Sequence, residues 1–141
     1  MTELQQNFKQ IRARMLDKYE SKSDLFHYYP CLVPAWEPLI DEIIELVEAW
    51  NENCDKGHEL RIFQMKEKFG SLVVYLEPLN GDGVINVPDS IRNAVNDIAK
   101  EGIKLCRVCG KKKIQTVVES RLQWRCLDHW EQNTQWKVRQ C

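Results

Sequence analysis

The chain contains no run approaching the roughly 18 consecutive apolar residues of a membrane span. Its first residues, Met1-Thr2-Glu3-Leu4-Gln5-Gln6, lack the basic-then-apolar layout of a signal peptide. Both absences lead to the expectation of a cytoplasmic protein with no membrane partner, where thiols stay reduced and grouped cysteines hold metal more often than they form disulfides. The sequence has no phosphate-binding loop, no nucleophile elbow and no His-Glu-x-x-His, so the enzyme classes those motifs mark are not indicated. Gly81-x-Gly83 lacks the helix glycine that would complete a nucleotide fingerprint. No internal repeat and no low-complexity segment occurs. No Lys or Arg stands between Lys22 and Lys56, although that stretch is rich in carboxylates.

What is present is concentrated at the C-terminal end. Cys106-x2-Cys109-Gly110 is followed, after sixteen residues from 110 to 125, by Cys126-x2-His129. Three thiols and one imidazole in two close pairs are the ligand stock of one four-coordinate structural Zn2+. Four protein ligands leave no open position for water or substrate, which argues against a catalytic metal. The Cys-x2-Cys-Gly segment reads as a knuckle, Ile114 to Val118 and Leu122 to Trp124 as two short strands, and Cys126 and His129 as ligands on the first turn of a helix. That order is a treble-clef-like zinc finger; a ribbon is the alternative if residues 127–139 are not helical. Residues 110–125 contain no His, which removes the nuclease that such a hairpin would otherwise suggest. Cys31, Cys54 and Cys141 lie outside the set; Cys31 and Cys54 read as ordinary core or surface thiols.

A net charge of −1 conceals an asymmetry. Residues 1–103 hold 11 Lys and Arg against 18 Asp and Glu, whereas residues 104–141 hold 9 against 3. An acidic body therefore carries a basic zinc unit. The basic set Lys111, Lys112, Lys113, Arg121 and Arg125, with Trp124, Trp130 and Trp136 nearby, is a candidate for contacting phosphates and stacking bases. Against that reading, a thiolate-rich centre is itself anionic, and adjacent cations balance it.

The body reads as α+β. Leu4, Phe8, Ile11, Met15 and Tyr19 form an apolar stripe on a first helix, which packs on the body or pairs with a second copy as a homodimer. Residues 21–35, with Phe26, Tyr28, Tyr29 and two prolines, form an irregular aromatic loop that is either a lid on the core or a contact surface for a protein partner. A second helix starts near Glu37-Pro38. Its acidic face, Asp41, Glu45, Glu48 and Glu52, has no cation on the same helix; it is either solvated or met by cations on the zinc unit or on a partner. Leu60 to Met65 and Leu72 to Leu76 read as a hairpin joined by a turn over residues 66–71, with Gly70 relieving the backbone. Val84 to Val87 suggests a short third strand, and a third helix is expected from about Pro88 to Leu105. Cys54 and His58 would form a thiol–imidazole pair only on a helix, and their neighbours have a turn composition.

From about residue 33 to 130 the chain resembles a family of small, largely uncharacterised bacterial and phage proteins. The resemblance rests on the helix from Trp36 to Trp50, the run Gln64 to Leu72 containing Lys66-Glu67-Lys68-Phe69-Gly70, the Cys106 knuckle and the Trp124 to His129 segment. The first helix and the Lys111–Lys113 run depart from it. It implies the architecture and a prokaryotic or phage origin, in a bacterial or host cytoplasm, but no mechanism.

The expected fold is α+β, with helices on a small antiparallel hairpin over residues 1–103 and a zinc unit over 104–141, packed as one compact domain. The leading functional expectation is a non-enzymatic adaptor or inhibitor that binds a protein. Nucleic-acid binding is second, and an enzyme with a pocket around Lys66, Glu67 or His27 is third.

Overall fold

A computed structural model of the chain describes residues 3–28, 30, 33–68, 70–80, 86–105, 114–118 and 121–125. Three helices, α1 (Glu3–Glu20), α2 (Glu37–Asn53) and α3 (Asp89–Lys100), accompany two separate antiparallel hairpins. These are β1 (Leu60–Lys68) with β2 (Ser71–Pro78), and β3 (Ile114–Val118) with β4 (Arg121–Arg125). The fold of the body is α+β. No helix among the described residues is long and apolar enough to cross a membrane.

The stripe on α1 is packed inward along its second half: Met15 and Tyr19 are fully buried and Ile11 lines the same core. That half is not available for pairing with a second copy. Cations flanking the stripe reach across to α2. Arg14 donates two hydrogen bonds to Glu37 at 2.7 and 2.8 Å, Lys18 bridges Glu37 and Asp41, and Lys22 meets Glu48. The residue numbers rise together, so α1 and α2 run in the same direction. This corrects the expectation for the acidic face of α2. Among the described residues, its Asp41 and Glu48 are met by cations of α1 and of the turn that follows it. Pairs at this sequence separation leave no periodic signal, because the matching charges sit more than twenty residues apart. Tyr19 donates to Asp41 at 3.0 Å, and burial, reinforced by the charge of Asp41, pushes its hydroxyl pKa upward.

Trp36 is the largest fully buried side chain among the described residues. It closes a single 3-10 turn, Pro34–Trp36, and begins α2 with no exposed surface. Its indole N–H donates to the carbonyl of Gly102 at 3.0 Å. A Cβ on Gly102 would lie 3.2 Å from both Trp36 Nε1 and Leu72 Cβ, so the close approach asks for glycine. Here the third helix departs from expectation. It starts at Asp89 with Pro88 as its N-cap, and ends at Lys100, where a 3-10 turn over Glu101–Lys104 carries Gly102 against the indole. Asn86 and Val87 are irregular rather than strand, and residues 81–85 lie outside the described set.

The β1–β2 hairpin is tighter than expected. Lys68 pairs with Ser71, so Lys66, Glu67 and Lys68 belong to the strand and only two residues separate it from β2, with Gly70 at φ +83°. The carboxylate of Glu67 accepts a hydrogen bond from the Gly70 amide at 3.1 Å. A β-bulge between Ile62 and Gln64 places Phe63 as an extra residue. Simple alternation puts Met65 with Arg61 and Phe63, but the bulge returns it to the inner face, where Leu60, Ile62, Met65, Leu72 and Val74 are buried.

The start of β1 is tied to the end of α2 by one side chain. The amide of Asn51 donates to the carbonyl of Leu60 and accepts from its N–H, both at 2.8 Å, standing in for a neighbouring strand. Asn51→Ala would strip both partners from a residue that is fully buried. The expected cost is about 1–3 kcal/mol, read as a lower denaturation midpoint with an unchanged slope; a variant as stable as the parent would show that water takes over both bonds.

Candidate functional site

The segment after α1 turns once over Ser23–Leu25 and then runs alongside the free edge of β1. His27 N–H donates to the carbonyl of Ile62 at 2.9 Å and Tyr28 N–H to that of Phe63 at 3.2 Å. Phe26 forms a parallel bridge with Ile62 and turns inward. It is only 7 % exposed and packs edge-on against Tyr19. Phe26 is therefore part of the core rather than a partner contact. Tyr28 is the opposite case, 53 % exposed. Tyr29 lies outside the described residues.

A polar and aromatic cluster assembles where this segment meets the outer face of the hairpin. Arg61 and Glu77 are cross-strand partners, and the Arg61 Nε–H donates to Glu77 Oε1. The same carboxylate oxygen lies 3.0 Å from His27 Nδ1, and Arg61 Nη2 lies 3.3 Å from that nitrogen. The His27 ring stacks on Tyr28 at 4.5 Å between centroids, and Phe63 meets both rings edge-on at 5.0 and 5.5 Å. Farther toward the turn, Lys66 Nζ stands 5.4 Å from the centroid of Tyr75, itself 43 % exposed. Such contacts hold aromatic and guanidinium groups in fixed orientations on an accessible surface.

Burial acts to raise the pKa of Glu77, but contacts with His27 and Arg61 outweigh it and hold the carboxyl below the ordinary glutamate range. The hydrogen bond from Arg14, then that from Lys18, does the same for Glu37. A folded-state pKa below the unfolded value means that the stabilisation is present above the unfolded value of about 4.3 and is lost as pH falls through the folded values. Glu37→Gln with Glu77→Gln is therefore expected to flatten the acid limb of stability below pH ~4.3. Chemical denaturation across pH 2–7 tests this, and an acid limb identical to the parent's would refute it. The effect is limited because both carboxylates retain some solvent contact.

The other candidates separate. Lys66 and Glu67, adjacent on a strand, point to opposite faces and do not converge on one site. Glu45 and Glu52 are exposed and have no ion-pair partner among the described residues. Helix α2 ends at Asn53, so Cys54 and His58 are not stacked on one helical face, and burial together with Glu59 raises the Cys54 pKa. A shallow groove of about 480 Å³ runs between β2 and α3, lined by Leu72, Val74, Asn93, Asn96, Asp97 and Lys100. Its only charged pair, Asp97 and Lys100, is 3.9 Å apart and largely solvated.

Strands β3 and β4 form where the sequence places them, with Ile114 paired to Arg125 and Val118 to Arg121. Cys106, Cys109, Lys111, Lys112, Lys113, Cys126 and His129 lie outside the described residues. Among the described residues no three His, Cys, Asp or Glu side chains come together to hold a metal.

Sequence reasoning missed Arg61, Phe63, Tyr75 and Glu77. A two-residue turn at Phe69-Gly70 would have paired Arg61 with Pro78, and only the bulge shifts its partner to Glu77. Comparison of the chain with protein-family models, curated proteins and solved structures finds no match.

Proposed function

We propose that the chain is a zinc-stabilised protein-binding module, an adaptor or inhibitor of the accessory kind that acts on a host protein. The observation that carries this reading is the cluster of Tyr28, Phe63, His27 and Arg61. It joins Tyr28 and Arg61, residue types enriched in binding hot spots, to a geometry already fixed by backbone and side-chain hydrogen bonds. Little ordering entropy remains to be lost when a partner docks there.

One Zn2+ held by Cys106, Cys109, Cys126 and His129 fits the second hairpin. Ile114 faces Arg125 across the ladder, and cross-strand partners lie about 5 Å apart. The chain arriving from Cys109 and the chain leaving to Cys126 therefore meet at the same end of the hairpin, which supports a shared ligand set. The ion's role is to fix the local fold.

Affinity capture from a bacterial lysate, with Tyr28→Ala and Arg61→Ala as controls, tests the reading. A partner enriched by the parent chain and lost with either variant is the expected result. No enrichment, or enrichment indifferent to both variants, would overturn it.

A second reading, nucleic-acid binding by the zinc unit, is favoured by one observation: Arg121 and Arg125 occupy positions of the same parity on β4. It requires affinity that falls steeply with salt and weakens when Lys111, Lys112 and Lys113 become Ala. Salt-insensitive binding would remove it.

A further inference from the structure

The outer face of the β1–β2 hairpin is not uniform from one end to the other. The register places Lys68, Lys66, Gln64 and Arg61 of β1 on that face, opposite Ser71, Val73, Tyr75 and Glu77 of β2. Arg61 and Glu77 neutralise each other at the open end, beside Tyr28 and Phe63. At the turn end, Lys66 and Lys68 have no carboxylate partner among the described residues. Arg14, Lys18, Lys22, Arg92 and Lys100, by contrast, each pair with an acid of the body, while Lys9, Arg12 and Lys56, which are not on this face, have no ion pair among the described residues. Between the two ends stands Tyr75, with Lys66 over its ring. One end of the face is thus cationic and uncompensated, and the other is aromatic and neutral.

We infer that this face receives an extended peptide segment of a partner, acidic at one end and aliphatic or aromatic at the other. The inference rests on the protein-binding reading of the same cluster and names the chemistry of the partner. Seven residue steps from Lys68 to Arg61, at about 3.3 Å each, give the face the length of roughly six or seven extended ligand residues. The acidic end meets Lys66 and Lys68, where carboxylates gain charge-assisted hydrogen bonds. The apolar end covers Tyr28 and Phe63. A nucleic-acid strand matches the face less well, because it carries charge along its whole length while the free cations occupy one end only. The carboxylate of Glu77 stands where a further phosphate would have to lie, and the 1–103 body, with 11 cations against 18 carboxylates, repels a long polyanion.

Fluorescence anisotropy with the full chain decides it. The probe is a labelled synthetic peptide with two aspartates and a glutamate, a glycine, then leucine and phenylalanine. A second peptide carries asparagine and glutamine in place of the acids, and a labelled oligothymidylate is the nucleic-acid arm. Binding of the acidic peptide is expected to weaken about tenfold or more in Lys66→Ala/Lys68→Ala, and also on raising salt from ~50 to ~300 mM. Tyr75→Ala should weaken both peptides. Equal binding of the acidic and neutral peptides, or indifference to the lysine double variant, would overturn the inference. So would oligothymidylate binding that the double variant abolishes while neither peptide binds. If the acidic peptide fails but a lysate partner is still captured and lost with Tyr28→Ala, protein binding stands and only the partner's chemistry is wrong. If neither binds, both readings fall. All the substituted side chains have solvent-accessible surface, so circular dichroism should show the parent fold in each variant.

Discussion

Trp36→Ala is expected to lower the stability of the body by about 3–5 kcal/mol, the range for emptying a buried aromatic site. The indole has no solvent contact and lies against Gly102 in the turn that ends the third helix. Removing it leaves a cavity and also strips the Gly102 carbonyl of its donor. Small domains hold about 5–15 kcal/mol in total, so the variant should populate the unfolded state readily. A fall in Tm of ~10–20 °C is the expected readout. Trp36→Phe separates the two causes. It keeps most of the ring volume and loses only the N–H, so its cost should be about 1–3 kcal/mol. If the phenylalanine variant is as damaging as the alanine variant, the hydrogen bond rather than the volume is the dominant contribution.

The second large effect is expected from the metal. Structural Zn2+ contributes on the order of 10–16 kcal/mol of apparent binding energy to small peptides at neutral pH. If the proposed zinc is bound, chelation, or Cys106→Ser, is expected to increase limited proteolysis beyond about residue 105. The body should survive, because the core formed by the described residues is drawn from Met15 to Ala99. Native mass spectrometry should find one Zn2+ per chain. The ion should be lost as pH falls and the thiolates protonate. A chain that purifies without zinc, or a body that unfolds together with the C-terminal unit on chelation, would contradict this.

The helices were legible because each obeys a local period, and the first hairpin because two β-rich runs flank a glycine turn. The Met15 and Tyr19 stripe, the Ile40, Ile43 and Val47 face and the Ile91 and Val95 face all repeat at helical spacing, and all are buried. What was hidden depends on contacts between distant segments. The Arg14–Glu37 and Lys22–Glu48 pairs join residues 23 and 26 apart. The turn that ends the third helix is held by Trp36, more than sixty residues away. Gly102 reads as an ordinary helix-interior glycine until its neighbour is known. The candidate site was half visible: Tyr28 stood out as an aromatic in an irregular segment, but its setting required the register of a hairpin that contains one residue too many.

That extra residue has an implication for how the surface and the core are encoded. Inner and outer positions of β1 alternate without a break if Phe63 is skipped: Leu60, Ile62, Met65 and Glu67 alternate with Arg61, Gln64, Lys66 and Lys68. Phe63 therefore behaves as an insertion that the core never registers. Deleting it should yield a regular ladder with every inward side chain in place, while removing the ring and the carbonyl on which Tyr28 rests. In the vocabulary of genetics, the bulge would make folding and the proposed recognition separable by a single codon.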